Sequence, residues 1–335
     1  MKFLKKIDNT QRFLIVIIVL YCILVQSRNP AFLSLATLFT MFRSAAGTII
    51  LSMGVLMVMI SGGIDVSFPA IAIFGGYTSL RICMACGIES MFLTFAISIA
   101  IGIVLGIGNA ILINILKLEP FIITLSTASV YFGLMTILVG TKNVGATDLP
   151  AQFKTLSKMK LITTTNQYGG EIGLSVFIIP VAICVVLTWF ILRKTLIGKG
   201  IFAMGCNNEA ARRAGFNVNL LRVFIFGYAG FLAGVMGIIY IAGTNSVNPV
   251  SLVGTEMSVI ACVVIGGASP TGGYGTIFGT LLGVILYYLF SQTLVYLGLS
   301  ASWQSFFMGI VLLISLITTS WQRRVQNRKN FIYTE

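Results

Sequence analysis

DVSFPAIAIFGG, residues 65–76, aligns without a gap on EMSVIACVVIGG, residues 256–267. Each copy opens with a carboxylate, has a serine two residues later and closes on two glycines. Chance resemblance between apolar segments is the alternative, because alanine, glycine and valine recur throughout this chain. The shared acidic-x-Ser opening and Gly-Gly end favour an internal repeat. An odd number of apolar runs separates the copies, so they would cross a bilayer in opposite directions, as inverted repeats do.

The composition indicates a membrane protein. Of 335 residues, 57% are hydrophobic and only 9% are charged, and the mean hydropathy is +0.99. About a quarter of the residues of a soluble domain are charged, whereas a helix that crosses a bilayer needs about 20 apolar residues in a row. We predict about ten spans, over residues 13–27, 35–60, 66–86, 91–116, 120–140, 174–192, 220–242, 255–268, 275–297 and 300–319.

The predicted fold class is therefore an all-α integral membrane protein, with a single membrane domain over residues 1–335. Two inverted five-helix halves would occupy residues 13–140 and 174–320. The first apolar run follows several lysines and could pass for a signal peptide. No small-x-small cleavage site ends it, so we expect a retained first helix.

The distribution of Lys and Arg predicts the orientation. Ten spans place both termini on one side, which receives roughly 15 of these cations against roughly 6 on the other side, so both termini are expected in the cytoplasm. The formal net charge of +13 then reflects topology and contact with anionic membrane lipid, and no nucleic-acid partner is expected.

The residues that the chain lacks exclude several functions. It has no histidine and no G-x-x-x-x-G-K-[ST] loop, and no complete set of zinc ligands accompanies its cysteines. None of its nine carboxylates falls at the middle of a predicted span, where an ion-coupled carrier keeps its ionisable groups. We therefore expect no catalytic residue, no metal site and no cofactor in this chain, and an energy source outside it.

Two groups of side chains are candidates for a transport path. Asp65 and Glu256 are each expected at a helix N-terminus, where capping and the helix dipole would suffice to explain a carboxylate. The functional alternative is that these helix ends line the substrate path or its gates, together with Ser67, Phe68 and Ser258. A separate feature is the break GGASPTGGYGT, residues 266–276, whose glycines suit a tight turn or a hinge.

The longest cytoplasmic connection, residues 193–219, contains the polar stretch NNEAARRAGFN. Asn207 or Asn208 can cap a short helix, Glu209 can pair with Arg212 or Arg213, and Gly215 can end it. Two turns of helix are not stable alone in water, so docking on a soluble partner is favoured over a solvated loop. The candidate docking residues are Asn207, Asn208, Glu209, Ala210, Arg212, Arg213, Gly215 and an exposed Phe216.

Three motifs resemble permease subunits of ATP-binding-cassette importers of the ribose, xylose and autoinducer-2 type. They are SGGIDVS (61–67), GKGIFAMGCNNEAARRAGFNV (198–218) and VVIGGASPTGGYGTIFGTLLGVIL (263–286), within a resemblance that covers about residues 35–320. Two features depart from the family pattern, Phe68-Pro69 after the first motif and Ser269-Pro270 in the third. A bulky Phe68 would narrow a path that ran past Asp65.

The resemblance implies a bacterial cytoplasmic membrane protein that works as a homo- or heterodimer of permeases over two cytoplasmic ATPases, which use the ATP. It also implies a periplasmic or lipid-anchored sugar-binding protein, and it makes NNEAARRAG, residues 207–215, the coupling helix. SGGID and ASW (301–303) lean towards unequal permease pairs. We predict an importer permease for a monosaccharide or similar small polyol, without enzyme activity. A nucleoside importer permease is the first alternative, and an ion-coupled carrier or a membrane-bound enzyme is less favoured.

Overall fold

The computed structural model describes residues 8–165, 171–300, 302–304, 306–311, 313–314 and 317. The chain is mostly helical, and its elements follow in this order: α1 (Asn9–Arg28), α2 (Leu35–Ile60), α3 (Phe68–Cys86), α4 (Met91–Leu116), α5 (Pro120–Leu138), α6 (Ala151–Lys158), β1 (Lys160–Thr165), β2 (Glu171–Ser175), α7 (Ile178–Lys194), α8 (Leu196–Cys206), α9 (Asn208–Arg213), α10 (Val218–Thr244), α11 (Glu256–Ile265) and α12 (Ile277–Thr293). A 3₁₀ turn (Leu294–Leu297) follows α12, and the described residues after 301 are helical.

The helices confirm a multi-pass membrane protein, although fewer of them reach full span length than the sequence predicts. Among the described helices, α1, α2, α3, α4, α5 and α10 are long and apolar enough to cross a membrane, and α7 with α8 forms a bent pair that could add a seventh crossing. The predicted span 255–268 contains only the ten residues of α11, a length of about 15 Å against a hydrocarbon core of about 30 Å. Residues 1–7 and, within the predicted span 300–319, residues 301, 305, 312, 315–316 and 318–319 lie outside the described part.

The shortness of α11 follows from the residues after its paired glycines. In the first copy of the repeat, Gly75 and Gly76 lie inside α3, which continues for ten more residues. In the second copy Gly266 ends the helix and Gly267 has a φ of +90°. Pro270 follows three residues later, and proline cannot continue a helix and disfavours helical backbone at the residue before it. The two copies therefore share a sequence pattern but not a helix length.

Close helix packing accounts for the spaced glycines of α4 and α12. A Cβ added to Gly102 or Gly106 in α4 would lie 2.2 Å from a backbone oxygen of α10. A Cβ added to Gly279 or Gly283 in α12 would lie 2.0 Å from a backbone oxygen at Gly266 or in α11. The same spacing thus packs α4 on α10 and α12 on the end of α11. Most of α2 and α10 is buried inside the protein, so these two helices form its centre.

The connection between α5 and α7 contains structure that the all-α prediction missed. The short helix α6 precedes an antiparallel hairpin in which Thr163 of β1 pairs with Gly173 of β2. Arg43, which the sequence places inside a span, holds α6 to the helical core. Its Nη2 donates to Ser157 Oγ at 3.0 Å and to the Gly243 carbonyl oxygen at 3.3 Å.

Candidate substrate path and coupling surface

The Asp65 carboxylate is buried in the connection between α2 and α3. Its Oδ1 accepts hydrogen bonds from the Ser67 backbone N–H and from the Ser67 hydroxyl, both at 2.7 Å. Because α3 begins at Phe68 with Ser67 as its N-cap residue, Asp65 forms a side-chain turn before the helix and does not cap the first turn itself. Burial raises the pKa of the Asp65 carboxyl, and its hydrogen bonds with Ser67 lower that pKa in part.

Asp65 belongs to a chain of buried polar groups that joins three helices. The Ser67 hydroxyl accepts from Asn109 Nδ2 of α4 at 2.7 Å, and the Tyr131 hydroxyl of α5 lies 2.8 Å from Asn109 Oδ1. A second contact ties the same connection to α5, where Thr124 Oγ1 accepts from the Val66 N–H at 3.2 Å. Asn109, Tyr131 and Thr124 were not identified from the sequence, although Asn109 is a polar residue within an apolar run, which is a functional signal.

The other candidate path residues lie in two different settings. Phe68 is 2% exposed and packs in the main apolar core. Glu256 is the first residue of α11 and is partly exposed, a position that suits its charge at the positive end of the helix. Ser258 lines an apolar cavity of about 450 Å³ between α11, α12 and the helical residues after 301. Within the described residues, no hydrogen bond joins Asp65 or Ser67 to the α11 pair.

The predicted short helix exists as α9, and its cap is confirmed. The chain bends by 74° between α7 and α8, and α9 follows directly after α8. Asn207 Oδ1 accepts from the Ala210 N–H at 3.0 Å, which makes Asn207 the cap. Gly215 follows the helix with a φ of +88°, the left-handed conformation that a glycine adopts without strain.

The surface of α9 differs from the prediction at two points. Phe216 is not an exposed apolar centre, because its ring packs on α8, where a Cβ added to Gly200 would lie 2.9 Å from Phe216 Cδ1. Neither arginine forms an ion pair with Glu209 in the described part of the chain. Ala211 is 2% exposed and anchors α9 to the protein. The remaining candidate docking residues are exposed: Asn207, Asn208, Glu209, Ala210, Arg212, Arg213 and Gly215.

The three sequence motifs meet at one point beside α9. The Gly273 N–H donates to the Ile60 carbonyl oxygen at 2.9 Å, which joins the glycine-rich turn to the end of α2. A Cβ added to Gly205 would lie 1.8 Å from that same oxygen and 2.6 Å from Gly273 N. A Cβ added to Gly272 would lie 2.7 Å from Gly62 Cα. This three-motif junction is a contact of backbones, with no room for a side chain at Gly205 or Gly272.

The amino-terminal end of α1 holds the turn 266–276 from the other side. Gln11 Nε2 donates to Thr276 Oγ1 at 2.7 Å, and the Tyr274 hydroxyl bonds to the Asp8 carboxylate. Within the turn, Ser269 N–H donates to the Tyr274 carbonyl oxygen at 2.9 Å. The expectation of a tight turn at this break is confirmed.

The comparisons with known proteins agree on one kind of protein. Residues 37–316 match the family described as branched-chain amino acid transport system / permease component. The ribose import permease protein RbsC of Haemophilus influenzae is 30% identical over 312 residues, 93% of each chain. The autoinducer 2 import system permease protein LsrC of Yersinia pestis is 33% identical over 318 residues, 94% of this chain and 86% of the relative. RbsC of Escherichia coli K12 is 28% identical over 308 residues, 92% of each chain. No solved structure matches the chain.

Proposed function

The chain belongs to the family of branched-chain amino acid transport system permease components, and from this premise we propose that it forms the translocation path of an ATP-binding-cassette importer for a monosaccharide or similar small polyol. The relatives that cover more than nine-tenths of this chain are named for the import of ribose and of autoinducer 2. The main support for the proposal is that these similarities extend over nearly the whole chain, including the predicted membrane spans. The path itself is proposed at Asp65, Ser67, Phe68, Glu256 and Ser258.

The proposed topology has ten crossings with both termini in the cytoplasm, in two inverted halves over residues 13–140 and 174–320. The crossing that contains α11 needs a separate argument, because α11 alone is too short to span a bilayer. The chain leaves α10 near Val247, which bridges to Val144 in the connection after α5. At Gly273 the chain has returned to the end of α2 and the end of α8. Helix α10 begins on this same side, because only the short helix α9 separates it from α8. Because α10 is long enough to span, residues 248–273 would cross back, with α11 as the helical part.

A crossing that is half helix and half irregular is physically permitted only inside the protein. Backbone groups without helical partners cannot face lipid, but they are tolerated where protein surrounds them. Residues 266–269 fit this requirement, since they are buried and the Ser269 N–H has a partner in Tyr274. The broken crossing therefore supports a bilayer-spanning assignment for α11 that its length alone does not.

The proposed partners are a cytoplasmic ATPase, a second permease in a homo- or heterodimer, with unequal pairs favoured, and an extracytoplasmic sugar-binding protein. The ATPase would use the ATP and would dock on α9 through the exposed residues around Arg212 and Arg213. The support is geometric, because α9 is short, capped, exposed and connected through Gly205 to the ends of two membrane crossings. A short helix of this kind can transmit a movement from a soluble subunit to the membrane helices.

The proposal is tested by uptake of radiolabelled ribose and leucine into cells that carry this permease with its ATPase and binding protein. We expect saturable ribose uptake that persists after a protonophore collapses the proton gradient and stops on ATP depletion. Uptake that follows the proton gradient would contradict the importer, and uptake of leucine alone would contradict the sugar assignment.

A double variant tests the proposal that the ATPase docks on α9. Arg212→Glu with Arg213→Glu places acidic groups where the partner meets cations, so we expect normal membrane levels, loss of ATPase on co-purification and loss of uptake. A double variant that retains the ATPase and transports at the original rate would show that α9 is not the coupling helix.

A further inference from the structure

A polar groove lies between α9 and the turn that joins α4 to α5. We call it the basic groove and define it by Asn114, Lys117, Asn208, Arg212, Asn219 and Arg222, which line a cavity of about 460 Å³ together with Glu209 and Leu118. A smaller cavity of about 230 Å³ continues from it towards residues 61–63 and shares Lys117, Leu118, Asn208 and Arg222. The groove thus extends from the exposed face of α9 to the first sequence motif.

The walls of the groove are fixed by hydrogen bonds between α4 and α10. Arg222 Nη1 donates to Asn114 Oδ1 at 3.3 Å, and Asn114 Nδ2 donates to the Asn219 carbonyl oxygen at 3.1 Å. Lys117 follows the last turn of α4 with a φ of +53° and donates its backbone N–H to the Ile113 carbonyl oxygen, which determines where its side chain starts. The groove is therefore a formed concavity between packed helices.

The charge of the groove is positive and is not balanced within the described chain. The larger cavity has three cations, Lys117, Arg212 and Arg222, against one carboxylate, Glu209. The smaller cavity adds a second carboxylate, Glu119. No ion pair is formed by these three cations with any described carboxylate. Like charges held together at a wall attract an anionic group from outside.

The small size of α9 requires a second contact for any protein that docks there. Six residues of helix measure about 9 Å in length, whereas a stable protein–protein interface buries about 800 Å² on each partner. The turn after α4 is the element across the groove from α9. A partner seated on both would cover the groove, and its surface there would have to supply negative charge.

We propose that the basic groove receives a carboxylate side chain of the ATPase, so that the ATPase docks on α9 and on the α4–α5 turn together. This inference rests on the proposed function and adds Lys117 and Arg222 to the docking residues. Leu118 is the one apolar residue among those lining the larger cavity, so an acyl chain would find little apolar wall there. A protein carboxylate fits this lining better than a lipid does.

The test is titration of the permease in nanodiscs with the purified ATPase that supports uptake in cells. We expect Lys117→Glu and Arg212→Glu each to weaken binding at least tenfold, and Lys117→Arg to bind as the wild type does. The matched control is Lys199→Glu, which makes the same charge change at an exposed residue of α8 outside the groove and is expected to leave the affinity unchanged. Size-exclusion chromatography establishes that each variant is folded.

A second measurement does not depend on substitution. A zero-length carbodiimide reagent joins an amine to a carboxylate in contact with it, and mass spectrometry is expected to find Lys117 coupled to an Asp or Glu of the ATPase. The inference is overturned if Lys117 couples only within its own chain, or if Lys117→Glu binds as well as Lys199→Glu does.

The outcomes separate this inference from the proposed function and from lipid binding. If the wild-type permease binds no ATPase, the proposed function fails. If Arg212→Glu weakens binding and Lys117→Glu does not, the proposed function stands and the groove assignment fails. If the effect of Lys117→Glu appears in nanodiscs with phosphatidylglycerol and disappears in phosphatidylcholine alone, the groove binds a lipid headgroup and the inference is wrong.

Discussion

Gly205→Ala is the substitution with the most direct consequence for the three-motif junction. The added methyl carbon would lie 1.8 Å from the Ile60 carbonyl oxygen, where ordinary contact begins at about 3.4 Å. The end of α8 would therefore have to separate from α2 by about 1.6 Å, the difference of these two distances. Backbone atoms cannot rotate away as a side chain could, so the strain is not relieved locally.

The cost follows from two effects. Overpacking of a tightly packed site costs about 1–3 kcal/mol. Separation of the backbones would also break the hydrogen bond from the Gly273 N–H to the Ile60 oxygen, which contributes about 1 kcal/mol. We expect Gly205→Ala to lower the free energy of unfolding by about 2–4 kcal/mol.

The measurement is reversible unfolding in mixed micelles of rising dodecyl sulfate content, followed by circular dichroism. The matched control is Gly133→Ala in α5, where an added Cβ meets no atom within 4 Å. Alanine favours a helix over glycine by at most about 1 kcal/mol, so this control should stay level or gain slightly. Equal unfolding free energies for Gly205→Ala and Gly133→Ala would refute the packing of the junction.

Three further predictions concern other parts of the molecule. Asp65→Asn and Tyr131→Phe should each cost about 1–3 kcal/mol of unfolding free energy, and a double-mutant cycle should give a coupling of at least about 0.5 kcal/mol; additive effects would show that the polar groups do not act as one network. Arg43→Met should speed proteolysis in α6, because the guanidinium joins Ser157 of α6 to the Gly243 carbonyl oxygen of α10, and Arg43→Lys should slow it again; equal cleavage rates would contradict this anchoring. A membrane-impermeant maleimide should label Cys86 in sealed right-side-out vesicles and Cys206 only after permeabilisation; the reverse pattern would invert the proposed topology.

The long helices were predictable because each is an apolar run bounded by polar residues. The predicted spans 35–60 and 91–116 coincide with α2 and α4. The predicted span 255–268 overestimates α11, although Gly266-Gly267 and Pro270 contain the reason for the break. The hairpin after α6 was missed because a polar connection has no hydrophobic periodicity that would distinguish strand from loop.

The contacts of the candidate sites were less predictable, since they join residues distant in the chain. Phe216 follows a polar helix and is expected to be exposed, but its ring packs on α8, where Gly200 has no side chain to block it. The partners of Asp65 are Ser67, which is local and predictable, and through it Asn109 and Tyr131, which are not. The sequence predicted a cap at Asn207 or Asn208 because capping is a local interaction, and the structure shows that Asn207 is the cap.

The three-motif junction also limits what sequence comparison can detect. Residues whose side chains contact each other can covary in an alignment, because a larger residue at one position can be compensated by a smaller one at the other. At Gly205 and Gly272 no such exchange exists, since each position is closed by backbone atoms and no smaller residue is available. Positions of this kind are therefore expected to stay glycine and not to covary. Covariation methods would therefore assign no contact to the place where α2, α8 and the glycine-rich turn are most tightly joined, and only coordinates reveal it.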